Sequence, residues 1–183
     1  MGWKRHFYES LDGYFDYEAL YLEAAAAVPS GGIAVEVGVW RGKSLAFLAV
    51  EFANRAKPVR LVGVDLFGAT EDMQHPATPQ ASLLKLFLDH GVNAELHQAV
   101  SWEAANSFED SSVDFVFIDA AHDYESVSRD LVAWWPKVRP GGIMAGHDFT
   151  HFHPGVIQAV SEKFGSILPV ETVKHCWRVF KPA

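Results

Sequence analysis

The chain has 183 residues, 49% of them hydrophobic and 21% charged, so it can bury one sizeable core and is not a disordered or low-complexity chain. Lys and Arg number 15 against 23 Asp and Glu, a formal charge of −8 without a long basic run, which argues against a nucleic-acid partner. No stretch approaches the roughly 20 apolar residues of a membrane span, and acidic residues stand where an export signal needs its apolar segment, so cytoplasm is the expected location.

Asp16 to Val28 sets Tyr17, Leu20, Tyr21 and Ala24 at helical spacing and stops at Pro29-Ser30-Gly31-Gly32, which predicts a helix. Ile33 to Val37 is a short apolar strand, followed by a glycine turn from Gly38 to Lys43 and a helix over Ser44 to Val50. The pattern repeats: strand at Val59 to Leu66, helix at Pro79 to His90, strand at Ala94 to Ala99, short helix at Trp102 to Phe108. Val113 to Asp119 is a strand with an acidic end, Ser126 to Trp135 a helix, Gly141 to Asp148 a buried strand, and Val156 to Phe164 a helix. Such alternation implies parallel strands with right-handed crossovers, an α/β fold. Ile167 to Thr172 and Lys174 to Phe180 are β-rich runs with almost nothing between them, so an antiparallel hairpin closes the chain. Phe67 to Ser82 has no clear element, and a loop of that length is expected to close over a ligand.

In open α/β sheets a ligand sits outside the carboxyl ends of the strands, which makes strand-end residues the candidates. These are Glu36 and Gly38, Asp65, Ser101, Asp119 with His122, and His147 with Asp148. The first turn, Glu36 to Ser44, puts Gly38 and Gly42 before a helix N-terminus, whose unpaired N–H groups suit an anionic group. Its G-x-x-x-G spacing lacks the third glycine of a dinucleotide fingerprint, so an amino-acid carboxylate is the more natural guest. Asp65 stands 23 residues past Gly42, where an acid accepts from both ribose hydroxyls of an adenosine; a cap or turn role is the alternative. Glu36 interrupts a buried run, either as a ligand group or as a satisfied structural carboxylate. Trp40 either walls the ligand, with cation–π attraction to a cationic group, or packs. Arg41 and Lys43 on the turn are expected to be solvated. Cys176 has no intrachain partner and reads as inert strand packing.

These residues carry a resemblance. E-x-G-x-x-x-G-x-S at Glu36 to Ser44, the acid Asp65, VDFVFIDAAHDYE at Val113 to Glu125 and WWPKVRPGGIMAGHDF at Trp134 to Phe149 resemble class I S-adenosylmethionine-dependent methyltransferases. Within them the chain is similar to the bacterial small-molecule branch that shares motif spacing with catechol O-methyltransferase. The likeness runs from about Ile33 to the C-terminus. It implies a doubly wound, mostly parallel seven-stranded sheet with a C-terminal antiparallel hairpin. It also implies one domain over 1–183, with 1–30 as an N-terminal helical segment and 31–183 as the cofactor-binding core. By the resemblance Glu36, Gly38 and Ser44 hold the methionine part of S-adenosylmethionine, with Ser44 near its carboxylate. Asp65 binds the ribose, Ser101 lies beside the adenine, and Asp119 lines the methyl-donor end; Trp40, Gly42 and Leu66 complete the expected cofactor-binding set.

Methyl transfer to a hydroxyl needs alignment together with a general base or a metal ion. Asp119, His147 and Asp148 stand where metal-dependent relatives gather ligands for magnesium, but His147 replaces an acid, and imidazole suits zinc, manganese or iron better. His122 and His151 are alternative bases, and His147, His151 and His153 beside Asp148 resemble a nitrogen-rich metal cluster. The expected activity is methylation of a small-molecule acceptor, with Met1 to Ser30 and Phe67 to Ser82 setting acceptor choice. The aromatic N-terminal segment also admits a homodimer interface. A non-catalytic S-adenosylmethionine-binding module would lack an open pocket beside Asp119. A nucleotide-dependent oxidoreductase is disfavoured by the missing third glycine.

Overall fold

A computed structural model describes residues 3–68 and 77–183. The buried apolar runs form five parallel strands, β1 (Ile33–Val37), β2 (Arg60–Asp65), β3 (Glu95–Gln98), β4 (Val113–Ile118) and β5 (Val138–Gly146). The tail adds β6 (Glu171–Val173) and β7 (Cys176–Phe180), and β7 runs antiparallel to both β5 and β6. The strand order is β3-β2-β1-β4-β5-β7-β6, the doubly wound, mostly parallel seven-stranded sheet with its terminal hairpin.

Between the strands lie α2 (Lys43–Asn54), α3 (Gln80–Asp89), α4 (Ser101–Ala104), α5 (Tyr124–Trp134) and α6 (Pro154–Phe164), while α1 (Glu18–Ala27) precedes β1. The period-2 alternation of β1 sends Ala34 and Glu36 to one face and Val35 and Val37 to the other. Ala34 packs in a core with Tyr21, Leu45, Phe47 and Phe117 under α1 and α2. Val35 and Val37 join Val116, Leu131, Trp134 and Trp177 in a second core under α5 and α6. The helix after β1 and the helix after β4 thus cover opposite faces, and the connections that leave the paired ends of β1 and β4 turn to opposite sides, which opens a crevice above those ends.

Three elements differ from the sequence reading. The N-terminal segment is helical over α1 but otherwise carries only a 3₁₀ turn at Tyr8–Ser10, and the helix expected from Asp16 starts at Glu18. β5 begins at Val138 instead of Gly141, because Val138 pairs with Val113 ahead of a register shift that absorbs Pro140 and the positive-φ Gly141. β6 is shorter than the run Ile167 to Thr172, since the amides of Ile167 and Leu168 both donate to the carbonyl of Phe164 and close α6. Within the expected lid Phe67 to Ser82, residues 69–76 lie outside the described residues. Cys176 is buried in β7 and burial pushes its thiol up to about 12, which makes it unreactive. Among the described residues no helix is long and apolar enough to cross a membrane.

Candidate active site

The crevice at the carboxyl ends of β1, β2 and β4 opens into a cavity of about 1070 Å³. Gly38 makes its floor: at φ 95° its amide donates to the Val64 carbonyl (2.8 Å), and a Cβ there would stand 2.1 Å from the Asp119 carbonyl oxygen. Only glycine permits this approach of β1 to β4. Trp40 and Asp148 line the same cavity with φ of 46° and 57°, a backbone conformation that side-chain-bearing residues adopt at a cost and that collects at functional sites.

Of the residues assigned to the cofactor, Gly38, Trp40, Ser44, Asp65, Leu66, Ser101 and Asp119 line the cavity, whereas Glu36 and Gly42 do not. Glu36 is buried behind the turn, where its carboxylate accepts from Tyr21 Oη (2.7 Å) and Ser44 Oγ (2.9 Å). Burial lifts its pKa to about 8, and its contribution is to hold Ser44 from below. Gly42 is the N-cap of α2 in the left-handed region, and a Cβ would meet the Leu83 side chain at 2.6 Å. Asp65 lies in the cavity wall but already works for the chain. Its Oδ2 accepts from the amides of Val39 and Trp40 and its Oδ1 from that of Phe67, all at 2.8 Å. The acid at the end of β2 therefore shapes the β1–α2 turn, with one lone-pair direction left for a ligand.

At the other end of the cavity, Asp119, His122, His147 and Asp148 converge as their strand ends require. His122 Nε2 lies 2.9 Å from Asp148 Oδ2, and His147 Nδ1 lies 3.3 Å from the same oxygen and 3.9 Å from Asp119 Oδ1. His153 adds Nε2 at 3.4 Å from Asp148 Oδ1, but His151 packs at a tilt against Phe152, outside this cluster. Three imidazoles thus surround one carboxylate. Burial opposes the charge of Asp148, yet the hydrogen bonds from His122 and His147 hold its pKa well below the usual carboxylate range. Burial also opposes the charge of His147, but Asp148, Asp119 and Asp16 carry it up to about 9; the Asp148 hydrogen bond raises His122 as well. Burial lifts Asp119 to about 6.

The oxygens and nitrogen of Asp119, His147 and Asp148 lie within 4.8 Å of one another, as do those of His122, Asp148 and His153. Two carboxylates and an imidazole at this spacing fit a divalent cation.

The N-terminal segment, in which Asp16 and Tyr17 were expected to begin a helix, supplies contacts to this end of the cavity. Tyr17 Oη donates to Asp119 Oδ2 (3.2 Å), and Asp16 Oδ1 lies 3.1 Å from His147 Nε2. Arg41 and Lys43 are not free in solvent: Arg41 pairs with Asp12 (3.1 Å) and Lys43 donates to the Gly13 carbonyl (3.2 Å). Tyr14 lies parallel to the Trp40 ring at 6.1 Å, and the Arg41 guanidinium sits 5.0 Å from it. Sequence distance hides these contacts, since 131 residues separate Asp16 from His147.

Among solved structures, the O-methyltransferase NovP superposes with a TM-score of 0.74 and 16% identity, covering 90% of this chain and 79% of that one. MycE, a methyltransferase of mycinamycin biosynthesis solved with Mg, S-adenosylhomocysteine and mycinamycin VI, gives 0.63 and 15% identity, covering 93% of this chain and 50% of that one. A curated relative, the uncharacterized protein y4gI of Sinorhizobium fredii, is 41% identical over 46 residues, which is 25% of this chain but only 5% of that protein. A family model described as a methyltransferase domain matches residues 35–149, from the middle of β1 to the residue after Asp148. The glycine floor, the strand-end acids and the histidine cluster at Asp148 up to His147 all fall within that match, and the chain belongs to the methyltransferase-domain family.

Proposed function

We propose that the chain transfers a methyl group from S-adenosylmethionine to a hydroxyl of a small-molecule acceptor. The observation that carries this reading is the single cavity running from the Gly38 and Asp65 end to Asp119, His122, His147 and Asp148. Its volume is at the upper end of ordinary ligand pockets, enough for a donor and an acceptor together. An open space beside Asp119 is what a pure binding module would lack.

In this reading the N-terminus of α2 at Lys43 and Ser44, where the first amides of a helix have no partner within it, receives the methionine carboxylate, Asp65 gives its remaining lone pair to the ribose, and Leu66 and Ser101 flank the adenine. His122, held through Nε2 by Asp148, takes the acceptor's hydroxyl proton on its other ring nitrogen as the oxygen attacks the methyl carbon. The carbon–sulfur bond breaks in line and the sulfonium leaves as a thioether. Asp119, His147 and Asp148 would hold a divalent cation, which when bound would lower the pKa of the acceptor hydroxyl and fix its position. The nitrogen in this set favours manganese or zinc over magnesium. MycE, solved with Mg and S-adenosylhomocysteine, supports both parts by likeness of fold. Cytoplasmic location and homodimerisation belong to the same proposal, checked by fractionation and by sedimentation.

The test is calorimetric binding of S-adenosylhomocysteine, followed by release of S-adenosylhomocysteine from S-adenosylmethionine over a panel of phenols, catechols and nucleotide sugars with Mn²⁺, Zn²⁺ or chelator. Failure to bind S-adenosylhomocysteine, with binding of a nicotinamide dinucleotide instead, would sink the proposal.

A further inference from the structure

Residues 12–17 cross from one end of the cavity to the other. Asp12 and Gly13 are tied to Arg41 and Lys43 on the β1–α2 turn. Three residues on, Asp16 is fixed at the β5 and β7 ends: Oδ1 lies 3.1 Å from His147 Nε2, Oδ2 lies 3.7 Å from His175 Nδ1, and its carbonyl accepts from Lys174 Nζ (2.8 Å). Asp16 does not itself line the cavity, and the cavity-lining side chain that its carboxylate meets is His147.

An imidazole has two nitrogens, and a carboxylate on one decides what the other faces. With Nε2 on Asp16, the His147 ring turns Nδ1 toward Asp148 Oδ2 (3.3 Å) and Asp119 Oδ1 (3.9 Å), while the Tyr17 ring packs against it at a tilt, 5.0 Å between centroids. Histidines that bind metal ions commonly give their second N–H to a carboxylate, which fixes the tautomer and ring orientation and raises ligand basicity.

We infer that Asp16 is a positioning residue for His147: it accepts the Nε2 proton and so aims Nδ1, which donates to Asp148 while no ion is bound, at the space beside Asp119 and Asp148, where that nitrogen would serve as a ligand atom. The inference rests on the reading of those three residues as a cation site. It also joins the N-terminal segment to the chemistry, since displacing residues 12–17 would withdraw Asp16 from His147 and the Tyr17 hydroxyl from Asp119 together.

The experiment is a titration of the full chain with Mn²⁺, followed through the spectrum of the free ion, for wild type, Asp16→Asn, Asp16→Ala and Asp119→Ala. Removing such an outer partner costs about 10–100-fold in metal affinity, the loss expected for Asp16→Ala. Asp16→Asn should lose less, because its amide oxygen still accepts from Nε2. Asp16 is 47% exposed and outside the cavity wall, so both variants should keep wild-type affinity for S-adenosylhomocysteine measured without metal. Wild-type Mn²⁺ affinity in both Asp16 variants would overturn the assignment alone, and so would an equal loss of S-adenosylhomocysteine affinity, which would mean a disrupted segment. If wild type takes up no more Mn²⁺ than Asp119→Ala, the cation reading fails and the assignment falls with it.

Discussion

Asp130 gives the sharpest prediction about stability. It is wholly buried on α5, neither carboxylate oxygen has a hydrogen-bond partner among the described residues, and burial lifts its pKa to about 6 from the ordinary 3.8, with only the Ser101 side chain favouring its charge. Between those values the native state holds a proton that the unfolded chain has lost, so this group's contribution to stability falls as pH rises from about 4 to about 6 and stays low above that. A shift of this size corresponds to about 3 kcal/mol. Asn has the same shape and cannot ionise. The Asp130→Asn variant should therefore be more stable than wild type at pH 8 by up to about 3 kcal/mol, less what the buried amide loses by its own unmet hydrogen bonds, about 1 kcal/mol or more. For a chain of this size the net gain raises the midpoint by roughly 4–8 °C. Thermal unfolding of the two proteins from pH 4 to pH 8 is the assay, and the variant's advantage should hold level from pH 8 to about 6 and shrink below that. An advantage independent of pH, or none at pH 8, would refute the picture of an ionised, unpartnered carboxylate.

Three further outcomes follow from the site. Asp65→Ala should lower both the affinity for S-adenosylhomocysteine and the melting temperature, because three backbone amides lose their acceptor at about 1 kcal/mol or more each; an unchanged melting temperature would reduce Asp65 to a ligand contact. Gly38→Ala should abolish binding of S-adenosylhomocysteine, since its Cβ would overlap the Asp119 carbonyl and push β1 from β4; retained affinity would show that the turn relaxes. His122→Ala should keep S-adenosylhomocysteine binding yet slow turnover by about 10²–10⁴-fold once an acceptor is found, and near wild-type turnover would move the base elsewhere.

The order and type of the main elements were legible because β1, β2 and β4 are apolar runs of strand length that end at a glycine or an acid, and α3, α5 and α6 are longer and amphipathic. Convergence of Asp119, His122, His147 and Asp148 was legible for the same reason. All four follow buried parallel strands that are neighbours in the sheet, so their side chains emerge at one rim. His153 and His151 show the limit of reading by proximity. Both sit in the same short segment, but the turn before α6 brings one to Asp148 and leaves the other on Phe152.

What escaped the sequence was the part each carboxylate plays. Glu36 shares its strand face with Ala34, so the period-2 pattern alone puts it under α1 and α2, away from the cavity that opens beyond the strand end. Its raised pKa and its bonds to Tyr21 and Ser44 follow from that placement. Asp65 does sit at the strand end, but a carboxylate there meets the chain's own unpaired amides before any ligand arrives. The β1–α2 turn and Phe67 offer three, and an unmet buried amide costs as much as a ligand bond returns. A strand-end acid beside a glycine turn is thus organised by the turn first, and the ligand inherits what geometry leaves. Asp16 lies outside any such rule, since its segment has neither strand nor helix and meets His147 only because Arg41, Lys43 and Lys174 fix its course. The Asp119–Asp148 end of the cavity is therefore built partly by a segment that nothing in the sequence ties to it, held there by cations whose charge alone would have suggested solvent.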